Sequence, residues 1–333
     1  MDDASQPPLP PESGTPEFIP PVMEPQPSFA NRVFIGPHGL RALWRFLIYV
    51  LLFAACAFGF SLVLRGTVRP QSGQSNVVGQ MVGEIVLLVS VIVPAIIMGI
   101  FEKRSLRDYG LPGRSAFGKH FWVGLFWGVA AVTVLIVGMR GAHAFYFGNL
   151  VLHGARLWKW ALWWGIFFLF VGFFEEFSFR GYTQFTLTTG MGFWPAALLL
   201  SFLFGAIHLG NPGEAWVGGL SAGLIGLFLA FTLRRTGSLW WAVGFHQGFD
   251  WGETFLYSVP NSGMVTPGHL LNSYFHGPRW LTGGSIGPEG SVLVFVLILL
   301  LFVVFDRVYR QAKWPLAGSL EPKRAEIVIP SGT

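Results

Sequence analysis

Ionisable side chains occur inside hydrophobic segments in one part of the sequence. They are Glu175, Glu176 and Arg180 in FFEEFSFRGY, His208 in FLFGAIHLGN, and His246 and Asp250 in GFHQGFDW. A charge at membrane depth costs about 2.5–3.5 kcal/mol for Arg, Lys or Asp on an insertion scale, so such residues persist mainly where they line a cavity or find a partner. Carboxylates and imidazoles are also the usual acids and bases of catalysis. The set therefore predicts a polar, chemically competent site among hydrophobic helices.

The spacing within the first segment separates two glutamates. Glu176 and Arg180 are four residues apart, in the favourable order for an ion pair on one helix face. Glu175 points about 100° away from Glu176 at 3.6 residues per turn. We expect Arg180 to neutralise Glu176, so that both have supporting roles. Glu175 then stays free to hold a water and act as a general base, with His208 as the second contact of that water.

The third segment places two further groups on one helix face. His246 and Asp250 are four residues apart and can point at the same cavity. A histidine N–H there would stabilise a developing oxyanion, and the carboxylate would fix the tautomer of the ring. A purely structural role stays open for the Glu176–Arg180 pair, since a buried ion pair often only fixes geometry.

The groups also fall at similar depths. From a turn near Gly190, Glu175 lies about 22 Å and His208 about 27 Å into the membrane at 1.5 Å per residue. From the turn at Gly237, His246 lies about 14 Å and Asp250 about 20 Å in. Three helices are thus predicted to bring carboxylates and imidazoles to neighbouring levels.

The composition is that of a membrane protein. Only 12% of the 333 residues are Asp, Glu, Lys or Arg, and 52% are hydrophobic, against about 25% charged residues in a soluble domain. This excludes a soluble globular enzyme. The single cysteine, Cys56, excludes a disulfide-stapled secreted domain. The net charge of +5 comes from residues at the ends of apolar runs, not from a basic stripe with exposed aromatics, so no nucleic-acid partner is expected.

The apolar stretches predict an all-α, polytopic membrane fold with an intramembrane polar cavity. A hydrocarbon core of about 30 Å needs about 20 apolar helical residues. Eight transmembrane helices are predicted, over 46–64, 70–101, 120–139, 160–189, 191–210, 215–233, 238–257 and 290–305. The membrane domain is expected over 32–312, with a motif-bearing core at 155–257.

Both ends of the chain are expected to be short tails. The first thirty residues contain nine prolines, five acidic groups and no Lys or Arg, unlike a cleavable signal peptide. Such a segment buries too little apolar surface to offset its ordering entropy, so residues 1–31 are predicted to be a disordered, proline-rich tail. Residues 313–333 form the second predicted tail.

The distribution of basic residues predicts the orientation. Lys and Arg are retained on the cytoplasmic side of membrane proteins. With the N-terminus inside, 16 of the 22 Lys and Arg residues fall on the cytoplasmic half. Both termini are therefore expected to be cytoplasmic.

Three motifs in this order give a family resemblance. Glu-Glu-x-x-x-Arg at 175–180, Phe-x-x-x-His at 204–208 and His-x-x-x-Asp at 246–250 resemble the CPBP family of intramembrane proteases. That family includes type II CAAX prenyl endopeptidases and bacterial proteins of bacteriocin processing and immunity. The resemblance covers roughly 155–257. It implies a conical cavity open to the cytosol, a membrane-associated peptide or protein substrate, and an integral protein of the bacterial cytoplasmic membrane in contact with the lipid bilayer.

The resemblance also implies roles for the residues. Glu175 and His208 would activate the water, His246 with Asp250 would form the oxyanion side, and Glu176 with Arg180 would support them. The third motif of the family often ends in Asn. An ionised Asp250 cannot donate to an oxyanion, so its position favours orienting the histidine or binding a metal.

Two mechanisms remain open on these residues. Glu175, His208, His246 and Asp250 form a chemically acceptable zinc set, and the family has been described as metalloproteases on that reasoning. No His-Glu-x-x-His helix is present, and the four groups come from three helices. The preferred interpretation is a glutamate-activated water with no required cofactor.

Other functions compete with this interpretation. Gly219-Leu220-Ser221-Ala222-Gly223 fits Gly-x-Ser-x-Gly, which suggests a serine-type protease, but that motif needs a strained strand-to-helix turn and here lies mid-helix. The glycines around Ser221 are more typical of close helix packing. The buried polar groups are also compatible with a transporter or a non-catalytic, peptide-binding immunity protein, although the hydropathy shows no inverted repeat.

Overall fold

The hydrophobic runs of the sequence fold as helices, which satisfy their own backbone hydrogen bonds where lipid offers none. The computed structural model describes residues 28–36, 39–65, 77–211, 216–315 and 320. The α-helices are α1 Phe29–Phe34, α2 Ala42–Arg65, α3 Val77–Glu102, α4 Lys119–Gly141, α5 Gly154–Arg180, α6 Tyr182–Met191, α7 Phe193–His208, α8 Trp216–Thr236, α9 Leu239–Trp251, α10 Arg279–Thr282 and α11 Leu293–Val308. A π-helical turn, Gly252–Leu256, extends α9, and 3-10 turns lie at Gly113–Ser115 and Pro288–Gly290.

Four short strands complete the described elements. They are β1 Ile35–Gly36, β2 Gly39–Leu40, β3 Phe145–Tyr146 and β4 Tyr274–Phe275. β1 pairs antiparallel with β2, and β3 pairs antiparallel with β4. The protein is thus a mostly helical, polytopic membrane protein.

Within the described residues, five helical stretches are long and apolar enough to cross a membrane. They are Ala42–Leu64, Val77–Glu102, Lys119–Gly141, Gly154–Met191 and Trp216–Thr236. The other three predicted spans correspond to α7, α9 and α11, which have 16, 13 and 16 residues. The polytopic fold is therefore confirmed, and the count of eight spans stays a prediction.

Polar contacts at one end of the helices join the segments that carry most of the basic residues. Arg45 at the start of α2 forms an ion pair with Glu102 at the end of α3, at 3.3 Å. Arg235 of α8 pairs with Asp306 of α11. The backbone N–H of Leu239 donates to the carbonyl of Gly110 at 2.8 Å. This end, which includes the connection between α3 and α4, is called the basic end below.

The opposite end is covered by irregular chain. The strand pair β3–β4 joins the segment after α4 to the segment after α9, with Phe145 opposite Phe275. Leu150 forms a further bridge to Leu271. The segment 257–292, which lies between the π-helical turn and α11, therefore forms a cap at this end.

Helix α9 is held against α4 by reciprocal glycine contacts. A methyl group at Gly124 or Gly128 would overlap carbonyl oxygens of α9, and one at Gly244 or Gly248 would overlap carbonyl oxygens of α4. Small residues at four-residue spacing let two helix backbones approach this closely. The contact fixes the position of α9, which carries His246 and Asp250.

The predicted tails lie largely outside the described residues. Residues 1–27 and 321–333 are not described, whereas α1 begins at Phe29, inside the segment 1–31 that was predicted to be disordered. Trp314, inside the predicted second tail, is buried, and its backbone N–H donates to the carbonyl of Arg234 at 3.1 Å. Its indole packs against the rings of Phe185 and Phe193, which holds the start of this predicted tail against the helices.

Replacing Gly128 by alanine is expected to lower the melting temperature in detergent by about 5 °C, because overpacking of this kind costs roughly 1–3 kcal/mol. Gly138 is the matched control on the same helix, since nothing lies within 4 Å of a methyl group placed there. Equal melting temperatures for Gly128→Ala and Gly138→Ala would contradict the packing of α4 on α9.

Candidate active site

His246 is the residue on which the polar groups of the site converge. Its Nδ1 lies 2.9 Å from Oε1 of Glu176, so Nδ1–H donates to that carboxylate. Its Nε2 lies 3.5 Å from Oε2 of Glu175 and 3.5 Å from Oδ2 of Asp250. Glu176 of α5 therefore orients the ring, a role that the spacing alone suggested for Asp250.

The close approach of α5 to α9 permits this contact. A methyl group at Gly172 would lie only 3.1 Å from Cβ of His246. Gly172 is one helical turn before Glu176, so the small residue brings the two backbones together just where the carboxylate meets the imidazole. The glycine was not identified as part of the site from the sequence.

Glu176 also binds Arg180, as the four-residue spacing predicted. Nη1 of Arg180 lies 3.3 Å from Oε1 of Glu176, and both side chains are almost completely buried. The guanidinium lies 4.5 Å from the centre of the Phe204 ring. Gly226 of α8 leaves room for it, since a methyl group there would overlap Nη2. Arg180 thus ties α5 to α7 and α8.

Glu175 is in a different environment from its neighbour. Its side chain is 23% exposed, whereas that of Glu176 is 0% exposed. Oε2 of Glu175 is buried and has no hydrogen-bond partner among the described residues. Apart from the contact with Nε2 of His246 at 3.5 Å, this carboxylate oxygen is available to accept a proton from a water.

His208 is positioned by its own helix. Its Nδ1 lies 2.8 Å from the carbonyl oxygen of Phe204, and the two rings pack at 4.4 Å between centroids. A carbonyl only accepts, so the proton of the neutral ring is on Nδ1 and Nε2 carries a lone pair. Phe204 therefore both packs against His208 and fixes its tautomer.

One cavity of about 240 Å³ brings the predicted residues together. Glu175, His208, His246 and Asp250 all line it, while Glu176 and Arg180 lie behind the wall. Its apolar wall comes from residues such as Phe167, Phe245 and Leu297. The lining residues of α3, α7, α9 and α11 come from the half of each helix nearer the cap, whereas α5 contributes Phe168, Val171 and Glu175 from its second half. The cap itself contributes Asn261, Ser262 and Met264. The cavity therefore extends from the cap to the level of Glu175 on α5.

Three of the four predicted zinc ligands lie close together, since carboxylate oxygens of Glu175 and Asp250 each lie 3.5 Å from Nε2 of His246. Among the described residues, the three acidic or histidine side chains whose ligand atoms all lie within 4.8 Å of one another are Asp250, Glu253 and Glu289. The set Glu175, His208, His246 and Asp250 does not form such a cluster. Zinc binding by these four residues stays a prediction.

Ser221 is in a helix-packing environment. It lies in the interior of α8, is buried, and its hydroxyl lies 2.8 Å from the carbonyl of Gly218 and 2.9 Å from that of Glu289. Gly219 and Gly223 face α7, where methyl groups would crowd Gly205 and Ser201. Ser221 also lines the cavity, but no histidine lies within hydrogen-bond distance of its hydroxyl among the described residues, so this geometry gives no support for a serine nucleophile.

Three acidic groups near the cavity were not assigned to the site from the sequence. Glu84 of α3 and Glu289 of the cap line the cavity, and Glu253 lies behind Asp250 in the π-helical turn. Glu84 and Glu253 carried a usable signal, because each is a charge within a predicted span. Glu289 carried no such signal, because it lies just outside the predicted spans and reaches the cavity only through the fold of the cap.

The motif-bearing region matches a known family. Residues 155–252 match the family model of the type II CAAX prenyl endopeptidase Rce1-like proteins. This segment is a CPBP-family domain. The predicted resemblance, which covered roughly 155–257, is confirmed, and the domain implies an intramembrane protease, a hydrolase that acts on proteins or peptides. The chain matches no curated protein and no solved structure.

The two adjacent glutamates should respond differently to substitution. Glu176→Ala leaves the buried guanidinium of Arg180 unpaired, which costs roughly 3–5 kcal/mol, so its melting temperature should fall by about 10 °C. Glu175→Gln keeps the shape of a partly exposed side chain and should melt within about 2 °C of wild type. Equal melting temperatures in a detergent thermal-shift measurement would contradict this division of roles.

Proposed function

We propose that the protein is an intramembrane endopeptidase in which Glu175 and His208 activate a water for attack on a peptide bond. The observation that carries this is the oriented His246 ring, whose Nε2 faces Glu175 in the cavity that His208 also lines. Glu175, which would serve as base and then as acid, and His246, the oxyanion donor, then border one space that can hold a water and a peptide carbonyl.

Each group has a defined task in this reaction. Glu175 takes one proton from the water, and Nε2 of His208 accepts the hydrogen bond of the other. The water oxygen attacks the carbonyl carbon, and Nε2–H of the protonated His246 ring donates to the resulting oxyanion. Glu175 then returns its proton to the leaving nitrogen as the C–N bond breaks. Asp250, with its oxygen 3.5 Å from Nε2, stabilises the charge on the ring.

The cleavage itself can be tested in membranes. Cells that lack the native protein would express wild type, Glu175→Gln or Ser221→Ala at equal levels, and peptide termini would be compared by mass spectrometry. New termini should appear with wild type and Ser221→Ala. They should fall by about 10²–10⁴-fold with Glu175→Gln, the usual contribution of a general base.

Other results would favour a different function for the protein. Loss of the termini in Ser221→Ala with their retention in Glu175→Gln would favour a serine protease. Identical termini in all three membranes would reject the peptidase. Substrate-dependent flux in proteoliposomes would then support a transporter.

We also propose that both termini are cytoplasmic, because the basic residues gather at one end of the helices and such residues remain on the inner side. With this orientation the cap, which forms one side of the cavity wall, faces the outer side of the membrane, whereas the family resemblance implied an opening to the cytosol.

Single-cysteine labelling tests the orientation. The one natural cysteine is Cys56, so Cys56→Ala provides a cysteine-free background. Val265→Cys in the cap and Ala116→Cys at the basic end are both at exposed positions. A membrane-impermeant maleimide added to intact cells should label Val265→Cys and leave Ala116→Cys unlabelled. The reverse pattern would place the cap on the cytosolic side.

A further inference from the structure

The charges on the cavity wall are of one sign. Four carboxylates line it, those of Glu84, Glu175, Asp250 and Glu289, together with the imidazoles of His208 and His246. No lysine or arginine lines it among the described residues. Arg180 does not offset this charge within the cavity, since it is buried against Glu176 on the other side of the histidine.

Two of these carboxylates, Asp250 and Glu289, form a cluster with the buried Glu253, which lies behind the cavity wall. Asp250, Glu253 and Glu289 have carboxylate oxygens within 4.8 Å of one another and are called the acidic wall. Glu289 is held there by the cap, because its Oε2 accepts hydrogen bonds from the backbone N–H of Ser262 at 2.8 Å and from its hydroxyl at 3.0 Å. The backbone of the same residue is bonded to Ser221 at 2.9 Å.

A positively charged group would stabilise the acidic wall. Glu253 is 0% exposed, and neither of its carboxylate oxygens has a hydrogen-bond partner among the described residues. Carboxylates this close repel one another when ionised, and low dielectric strengthens the repulsion. A cation that enters the cavity beside Asp250 would relieve it, whereas a carboxylate would add to it.

The position of the acidic wall relates it to the bond that is cut. Oδ2 of Asp250 lies 3.5 Å from Nε2 of His246, and the other carboxylates of the acidic wall have oxygens within 4.8 Å of an oxygen of Asp250. An extended peptide advances about 3.3 Å per residue. A side chain that meets the acidic wall therefore belongs to a residue within about two positions of the carbonyl held at His246. The rest of the cavity is apolar and suits hydrophobic neighbours.

Resting on the endopeptidase function proposed above, we infer that the acidic wall selects peptides with a lysine or arginine within about two residues of the cleaved bond. The same wall disfavours a free carboxylate near that bond. Such a carboxylate is present when a short C-terminal peptide is removed, as at a C-a-a-X end. The substrate is then a basic, hydrophobic peptide segment rather than a chain end of that kind.

A matched peptide series tests the inference. Internally quenched peptides, blocked at both ends and identical except for Lys, Gln or Glu at each of the two positions on either side of the bond, are compared by kcat/KM. At one or more positions wild type should prefer Lys over Gln by about tenfold, the effect of about 1.4 kcal/mol. Glu peptides should be cut more slowly than Gln peptides. A flat series, or one that favours Glu, would overturn the inference.

Variants assign the preference to the acidic wall. Glu289→Gln and Glu253→Gln should each reduce the Lys-to-Gln ratio to about threefold or less. Asp306→Asn is the control, because it removes one carboxylate at the basic end, where Asp306 is half exposed, and should leave the ratio unchanged. An unchanged ratio in either folded variant of the acidic wall would count against its role, and the wild-type series decides the matter if both fail to fold.

Two further experiments distinguish this inference from its alternatives. Binding of the labelled peptides to Glu175→Gln, measured by fluorescence anisotropy, reports charge selection without cleavage. The same order of affinities with no cleavage by wild type would retain the selection and reject the peptidase. A divalent cation on the acidic wall is the other occupant. A Lys preference that appears only after a chelator is added, and is abolished by calcium or magnesium, would replace the inference with a metal site.

Discussion

A single buried carboxylate oxygen organises the site. Oε1 of Glu176 binds the guanidinium of Arg180 and Nδ1 of His246, and the carboxylate and guanidinium are excluded from water. Each of these groups would be costly to bury without a partner. Their mutual neutralisation lets α5, α7, α8 and α9 meet at one level, and it leaves the second nitrogen of the histidine facing the cavity. The geometry of the candidate site follows from this ionic contact.

Close helix packing at glycines and the cap both help to form the site around that contact. Reciprocal glycines bring α4, α9 and α5 close enough for side chains to reach one another across the interfaces. The cap closes the opposite end of the cavity with irregular chain and adds Glu289 to its wall. Irregular backbone is tolerated at such a position because it is buried in protein or lines a polar cavity. Helices thus hold Glu175, His208 and His246, while the cap forms one side of the cavity wall.

Much of this arrangement could be predicted from residue spacing. The Glu176–Arg180 pair follows from helical periodicity, and the gathering of Glu175, His208 and His246 follows from helix lengths and alternating direction. The partner of His246 could not be predicted, because Glu176 and Asp250 are both plausible and only the rotation of α5 against α9 decides between them. Glu289 could not be predicted either, since its approach depends on long-range folding of the cap. The short lengths of α7, α9 and α11 could not be predicted either, because hydropathy gives the length of an apolar stretch but not the residues at which its helix begins and ends.

We propose that a glutamate-activated water performs the hydrolysis without a required metal. The most direct measurement compares purified wild type and Glu175→Gln on one synthetic peptide in the presence of excess chelator, with the zinc content of the same samples determined by elemental analysis. We expect wild type to cleave with far less than one zinc per chain, and Glu175→Gln to be inactive although folded. Activity that rises and falls in proportion to bound zinc, or that persists in Glu175→Gln, would contradict this mechanism.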